Sequence, residues 1–337
     1  MSEASPRVQQ LFALLASAQG PGYRSFLSGA QLARDLGVSR SAIWKAAASL
    51  RSLGVAVEAL PRQGYRLTRA ASSLEQTAVI SALQPGTAAR LRHGECRWTT
   101  TSTNADLLSR GGLGAGEFDF LTAEYQSAGR GRRGRRWLAP PGGAICLSWS
   151  WSFEVLPPQS GALSLAIGVA ALRALGRCGI TGVGLKWPND LVTPAGKLGG
   201  ILIELRSESG GPTHVVVGIG LNVGLGPEIV EDVAVTGNRA TDLAALTPQP
   251  PARSQLVAAL LDAGTTAMAE FARTGFDSFI AEYRDADVLA GQSVTASGPQ
   301  DSVEGSAAGI DHDGALLLDT TTGRRRIVSG EISVRRT

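Results

Sequence analysis

Cysteine and histidine are scarce, three of each in 337 residues. Cys96, Cys146 and Cys178 are far apart and odd in number, and His93, His214 and His312 are as scattered. Neither a disulfide scaffold nor a zinc site is expected from such spacing, and no metal-ligand set is readable. No apolar run approaches a membrane span. Met1–Arg7 is polar and leads into a short amphipathic run, unlike a signal peptide, so a cytoplasmic location is the default. No Gly-x4-Gly-Lys-Ser/Thr loop occurs, no Gly-x-Gly-x-x-Gly opens a helix, and no serine or cysteine sits in a nucleophile elbow. The P-loop plan, the dinucleotide fingerprint and a recognised covalent nucleophile are therefore not expected. Internal repeats are absent too.

What the chain does have is 43% hydrophobic residues and a mean hydropathy of +0.05, enough for a sizeable core, with length for two or three domains. The formal net charge is only +3, but residues 1–70 hold nine Lys/Arg against three Asp/Glu, which leaves the remainder at −3. A basic front end on a mildly acidic body points to a module that meets nucleic acid. Val8, Leu11, Phe12 and Leu15 recur at helical spacing. Ser28 and Gln31 are placed as a capping box, with Leu27 and Leu32 as a hydrophobic staple, opening a helix that runs through Leu36. Gly37 breaks it, and Ser39 caps a second helix from Arg40 to about Leu50, with Ile43, Ala47 and Leu50 inward. This is a helix-turn-helix pattern with the second helix as groove reader. Behind it, Val55–Ala59 and Tyr65–Leu67 bracket Pro61-Arg62-Gln63-Gly64, a hairpin wing with a basic tip. Ser39, Arg40, Ser41, Lys45 and Arg62 are the expected DNA contacts. Trp44 fits packing equally well and is given no base contact. A small helical domain with an ordinary basic surface is the competing reading.

Residues 130–136, Arg-Gly-Arg-Arg-Gly-Arg-Arg, followed by Trp137, are the densest chemical signal. Such a run repels itself and does not favour a regular element. Its glycines let the backbone approach a ligand, and guanidinium groups grip carboxylate or phosphate in a two-pronged manner. A loop ordered around a compact, multiply charged anion is one reading; a solvated basic loop is the other. From about Leu74 to Tyr283 strands and helices alternate. Phe120–Tyr125 leads into the arginine loop and Ala144–Phe153 leaves it. A helix carries Leu163, Ile167, Ala170 and Ala174. Leu198–Leu205 and His214–Val223 are strands joined by a turn, and Leu256, Leu260, Met268 and Phe271 mark a later helix. Lys186-Trp187-Pro188-Asn189-Asp190 puts a cation, an aromatic and a carboxylate around a proline. Lys197-Leu198-Gly199-Gly200 follows, and then Gly218-Ile219-Gly220-Leu221-Asn222, a strand whose glycines let a ligand or backbone come close.

Ser102-Thr103-Asn104, the Glu124–Arg135 stretch (Glu-Tyr-Gln-x-Ala-Gly-Arg-Gly-Arg-Arg-Gly-Arg), Lys186–Asp190, Lys197–Leu202 and Gly218–Asn222, in this order, resemble the biotin protein ligases. The match is closer still to the bifunctional form that also represses the biotin operon. The winged module and the segment Gly330-Glu331-Ile332-Ser333 fit that larger class. The resemblance implies an α+β chain: a winged helix-turn-helix over 1–69, a mixed sheet with flanking helices over 75–285, and a small SH3-like barrel over 286–337. Thr68–Gln76 is the boundary, and Asp313-Gly314 precedes the strand Ala315–Asp319. Leu225–Pro251 corresponds to variable loops near the adenylate, and no residue there is placed.

The implied reaction joins biotin's carboxylate to the α-phosphorus of ATP, releasing pyrophosphate, and then passes biotin to a lysine of a carrier protein. By resemblance Arg130, Arg132 and Lys197 meet the carboxylate and phosphate charge, while Ser102, Thr103, Asn104 and Gln126 read the ureido ring. Gly129, Gly131 and Gly218 complete the biotin site. Arg132, Arg133, Arg135, Trp137, Lys186, Asn189 and Asn222 are the expected ATP and adenylate contacts, with Arg133, Arg135 and Arg136 either helping with phosphates or solvated. Asp190 is expected to orient the carrier's amine or to accept its proton. ATP implies Mg²⁺, for which no ligand is assigned. The expected partners are a biotin carboxyl carrier protein, operator DNA and a second copy of the chain when adenylate is bound. Lipoate or octanoate attachment on the same fold, and a ligand-sensing repressor without turnover, are the alternatives.

Overall fold

The computed structural model describes residues 5–18, 25–69, 71–111, 113–207, 211–226, 229–231, 239–298, 302–328 and 333–336. Proline at the first position starts α1 (Pro6–Ser17), whose buried face is Val8, Leu11, Phe12 and Leu15. Ser28 and Ser39 open α2 (Gly29–Asp35) and α3 (Arg40–Ser52), accepting from the amides of Gln31 and Ala42 at 3.1 and 3.2 Å. The expected reciprocal box does not form. Gln31 donates to Asp35 at 2.6 Å and accepts from Arg34 at 2.5 Å, because charged partners three and four residues on hold its amide along its own helix. Gly37 turns the chain at φ +61. The wing is an antiparallel pair, β1 (Val57–Leu60) with β2 (Gly64–Leu67), and Leu27 bridges to Tyr65 beside it. Trp44 is 60% exposed, so it is not part of the module's core.

Two short helices, α4 (Gln76–Ala82) and α5 (Pro85–Ala88), lead into a seven-stranded sheet. Its strands are β3 (Leu91–Thr100), β4 (Phe118–Gln126), β5 (Ala144–Phe153), β6 (Gly184–Lys186), β7 (Asp190–Thr193), β8 (Gly196–Ser207) and β9 (Thr213–Asn222). They lie in the order β3-β4-β5-β9-β8-β7-β6, and only β3 and β4 run parallel, which makes the sheet mixed. One face packs on α7 (Leu163–Arg177) and α8 (Arg253–Thr274), where Phe118, Phe120, Trp149 and Trp151 fill the main core. The other face carries α6 (Thr103–Arg110) and the site. The alternation of β5 is thereby explained. Ile145, Leu147 and Trp149 enter the core, whereas Cys146 and Ser148 are buried on the opposite face, against the site rather than solvent.

After α9 (Ile280–Ala286) comes the small SH3-like domain, built of β10 (Ser293–Ser297), β11 (Ser302–Ile310), β12 (Leu316–Thr320), β13 (Gly323–Ile327) and β14 (Ser333–Arg336). Its antiparallel order is β13-β12-β11-β10-β14. Asp311 shapes the turn before β12, accepting from the amides of Asp313 and Ala315 at 3.0 and 2.9 Å, with Gly314 at φ +77. Of the Gly330–Ser333 motif, residues 330–332 lie outside the described residues.

The parts are joined by specific contacts. Phe12 of α1 meets Trp98 of β3 at 5.4 Å between ring centroids, and Tyr125 of β4 packs on the same cluster. Trp187 donates its indole N–H to the carbonyl of Gly314 at 3.0 Å. The boundary segment is pinned by a buried ion pair. Glu124 accepts from the Leu74 amide at 2.7 Å, from the Gly142 amide at 3.0 Å and from Arg253 at 2.8 Å through both oxygens. Arg253 also donates to the carbonyls of Ala144 (2.9 Å) and Ser72.

Candidate active site

The motif residues converge on one cavity of about 690 Å³. Every expected biotin or nucleotide contact lines it except Gly129. Gly129 sits at the root of the arginine loop, where its carbonyl accepts from the Trp137 amide at 2.9 Å, and a Cβ there would lie 2.8 Å from the Trp137 carbonyl. The loop has order of its own. Gly131 N–H donates to the Arg135 carbonyl at 2.7 Å, Arg130 bridges to Arg136, and a tight turn at 132–134 places Arg133 and Gly134 at φ +61 and +69. Arg130, Arg133, Arg135 and Arg136 are exposed; Arg132 is half-buried.

One end of the cavity is cationic. Lys197 of β8 donates to Asp190 of β7 at 2.5 Å, and its ammonium lies 5.8 Å from the centroid of the Trp137 ring. The Lys197 backbone is fixed as well. Its amide donates to the Arg239 carbonyl at 2.8 Å, and its carbonyl accepts from the Thr241 amide at 2.9 Å. Asn222 gives its amide protons to the carbonyls of Lys197 (3.3 Å) and Thr241 (2.9 Å), so it holds the lysine strand in place. Arg132 approaches Asn189 at 3.4 Å. Burial pushes its guanidinium below the usual range and neighbouring arginines add to that, while Asp190 opposes it. Arginine stays charged even so.

The other end is a neutral polar wall. Ser102 caps α6, accepting from the Ala105 amide at 3.4 Å. Gln126 Oε1 accepts from the Thr103 amide at 2.8 Å and lies 3.1 Å from the Thr103 hydroxyl oxygen. Ser148 Oγ lies 2.6 Å from both Thr103 Oγ1 and Asn104 Oδ1. The strand glycines serve these side chains. A Cβ at Gly218 would fall 2.3 Å from Asn104 Oδ1, and one at Gly220 would fall 2.4 Å from the Trp137 indole. Gly220→Ala is therefore expected to displace Trp137 and slow turnover about tenfold or more. Steady-state kinetics with a tryptophan emission spectrum would check it, and an unchanged rate would remove Trp137 from the mechanism.

Sequence reasoning missed Cys146, Ser148, Arg239, Ala240 and Val334, all of which line the cavity. Alternate small or polar residues in an otherwise apolar strand were the available signal for Cys146 and Ser148. Arg239 and Ala240 lie in an aperiodic segment, and Val334 comes from the C-terminal domain, so neither gave one. Burial pushes the Cys146 thiol up to about 12, which keeps it protonated and inert at neutral pH. At pH 8, iodoacetamide is expected to spare Cys146 in the native protein and to label it after unfolding. Native labelling at the rate of a free thiol would contradict the burial.

Comparison with known proteins gives three family matches: an HTH domain over residues 7–66, the biotin/lipoate A/B protein ligase family over 97–222, and the biotin protein ligase C terminal domain over 290–335. The bifunctional ligase/repressor BirA of Escherichia coli is 35% identical over 97% of this chain and 96% of its own length. The biotin--[acetyl-CoA-carboxylase] ligase of Mycobacterium tuberculosis is 39% identical over 68% of this chain and 84% of its own. Among solved structures, the biotin protein ligase from Aquifex aeolicus in complex with biotin and ATP superposes with a TM-score of 0.62 at 27% identity, covering 73% of this chain and all of that one.

Proposed function

The chain belongs to the biotin protein ligase family, and from that membership we propose the reaction its cavity performs: ATP-dependent activation of biotin as biotinyl-5′-adenylate, then transfer to a lysine of a biotin carboxyl carrier protein. The observation that carries this is the two-ended cavity. A fixed cationic end, Lys197 with Arg132, faces a neutral hydrogen-bonding wall built from Thr103, Asn104, Gln126 and Ser148. A small acid with a polar ring at one end and a carboxylate at the other fits that polarity.

The first step forces the carboxylate anion onto the α-phosphate, so the protein's task is alignment and charge neutralisation. Asp190 holds the Lys197 ammonium, and we assign that cation to the point where the two anions meet. Arg132, half-buried against Asn189, supports the same charge from the loop side. Arg130 closes the carboxylate end, and the exposed Arg133, Arg135 and Arg136 are left for the outer phosphates. The oxygen–phosphorus bond forms as pyrophosphate leaves. In the second step the carrier's amine attacks the acyl carbon, AMP leaves, and the amine's proton must be taken up. Asp190 is the group we assign to orient that amine or to receive its proton.

Mg²⁺ enters with ATP as part of the substrate. Among the described residues Asp190 is the one carboxylate lining the cavity, and Lys197 engages it, so the walls offer no cage for a resident ion.

The winged module gives the chain its second role, biotin-responsive repression. The outward Ser39, which caps α3, and Arg40, Ser41 and Lys45 within it, with Arg62 at the wing tip, are the proposed DNA contacts. We further propose that adenylate-bound protein forms a two-fold dimer on palindromic operator DNA, and that carrier and partner copy compete for it. The carrier is an acetyl-CoA carboxylase subunit or a similar protein, which places the chain in the cytoplasm; no described helix is long and apolar enough to cross a membrane. The three-part division at 1–69, 75–285 and 286–337 belongs to the same reading.

The test uses purified protein, biotin, MgATP and a carrier domain, followed by carrier mass. The expected result is a biotin-sized gain that requires ATP, with no gain from lipoate. Biotin binding without gain would favour the sensor reading. Selection of duplexes from a random pool, with and without biotin and ATP, tests the second role: palindromic enrichment only with both is expected, and none in either case would remove repression.

A further inference from the structure

The polar wall does not end at the cavity. Asn104 is 4% exposed, and both protons of its amide are taken. Its two protons go to the Leu202 carbonyl at 3.2 Å and to Glu204 Oε2 at 2.8 Å, and its oxygen lies 2.6 Å from Ser148 Oγ. Glu204 is half-buried on β8, outside the cavity and outside every motif discussed above.

A carboxylate and a carbonyl can only accept, so together they fix which end of the Asn104 amide is nitrogen. Oδ1 must then face Ser148, and the Ser148 hydroxyl must donate to it. A serine has one proton, so the 2.6 Å contact between Ser148 and Thr103 has to be made by the Thr103 proton, which takes this shorter contact over Gln126 Oε1 at 3.1 Å. The direction therefore runs from Thr103 to Ser148 to Asn104 to Glu204. Both hydroxyl protons are drawn away from the cavity, and the oxygens of Thr103 and Ser148 keep lone pairs for a ligand. Gln126 Oε1 is already turned to the Thr103 amide at 2.8 Å.

We infer that Glu204 is a positioning residue that sets the hydrogen-bond polarity of the ring-binding wall, making it accept from ring N–H groups. This rests on the biotin reading and says how the site tells a ureido ring from a ring without N–H donors. A ligand lacking those donors leaves buried acceptors unmatched, which is where such sites gain their discrimination.

The experiment is ATP–pyrophosphate exchange with biotin or lipoate for wild type, Glu204→Ala, Glu204→Gln and Ser148→Ala, with thermal midpoints alongside. Glu204→Ala is expected to raise the biotin KM about tenfold and to leave the ATP KM within about twofold. Its preference for biotin over lipoate should fall in parallel. Glu204→Gln, whose carbonyl still accepts from Asn104, should stay within about threefold of wild type. Should Glu204→Ala not fold, Ser148→Ala must show the same split between biotin and ATP. An unchanged biotin KM, an equal rise in both KM values, or no rescue by glutamine would overturn the inference. Wild type without biotin-dependent exchange would overturn the ligase reading, and this inference with it.

Discussion

Lys197→Ala should cost roughly 10²–10³ in the rate of adenylate formation while the protein still folds and binds biotin. Lys197 is placed by two independent devices. Its backbone is stitched to the 239–241 segment and to Asn222, and its ammonium is held by Asp190 at 2.5 Å. A cation fixed this way needs no reorganisation as charge builds between carboxylate and phosphate, so its removal should act on kcat more than on biotin affinity. Arginine should restore little, because its planar fork cannot replace a compact ammonium in a site shaped by Asp190 and Trp137. Asp190→Asn is expected to slow both half-reactions, the first because Lys197 loses its anchor and the second because the amine loses its partner. Pyrophosphate release measures the first, and transfer from preformed adenylate to carrier measures the second. A mutant normal in both would leave Asp190 without a role.

Arg253→Ala should have the largest effect on stability. Arg253 and Glu124 are 2% and 5% exposed, and together they tie the boundary segment, both stems of the arginine loop and the start of α8. Removing the cation strands a buried carboxylate, and breaking such a pair costs about 3–5 kcal/mol. For the central domain that corresponds to a drop on the order of 10 °C in Tm. Glu124→Gln with Arg253→Met should recover part of the loss, since a neutral pair strands no charge. Calorimetry checks both. A midpoint within about 2 °C of wild type for Arg253→Ala would show that the loop stems are held by other contacts.

The contrast between these two residues shows what was legible. Lys197 stood in a short motif beside glycines, so it could be singled out before any fold was known. Glu124 was visible only as a motif member, and Arg253 gave no signal, because 129 residues separate the partners. The helix-turn-helix was readable from Ser28, Gly37 and Ser39, since caps and turns depend on neighbours in sequence. The capping box failed for a local reason as well: Gln31 had charged partners along α2 that pattern alone did not rank. The strand glycines were recognised, but what approaches them is the Asn104 amide and the Trp137 indole, which arrive from elsewhere in the chain.

Sequence by itself determined the three-part order of the chain, the winged module and the strand bounds of β5. Those are set by short-range propensity, periodicity and motif chemistry. Tertiary structure alone decided that Asn222 steadies Lys197, that Cys146 and Ser148 face the cavity, and that Glu204 reaches Asn104. Each is a hydrogen bond or a facing that depends on sheet register. Register sums the packing of the whole sheet, and no local stretch of sequence carries it.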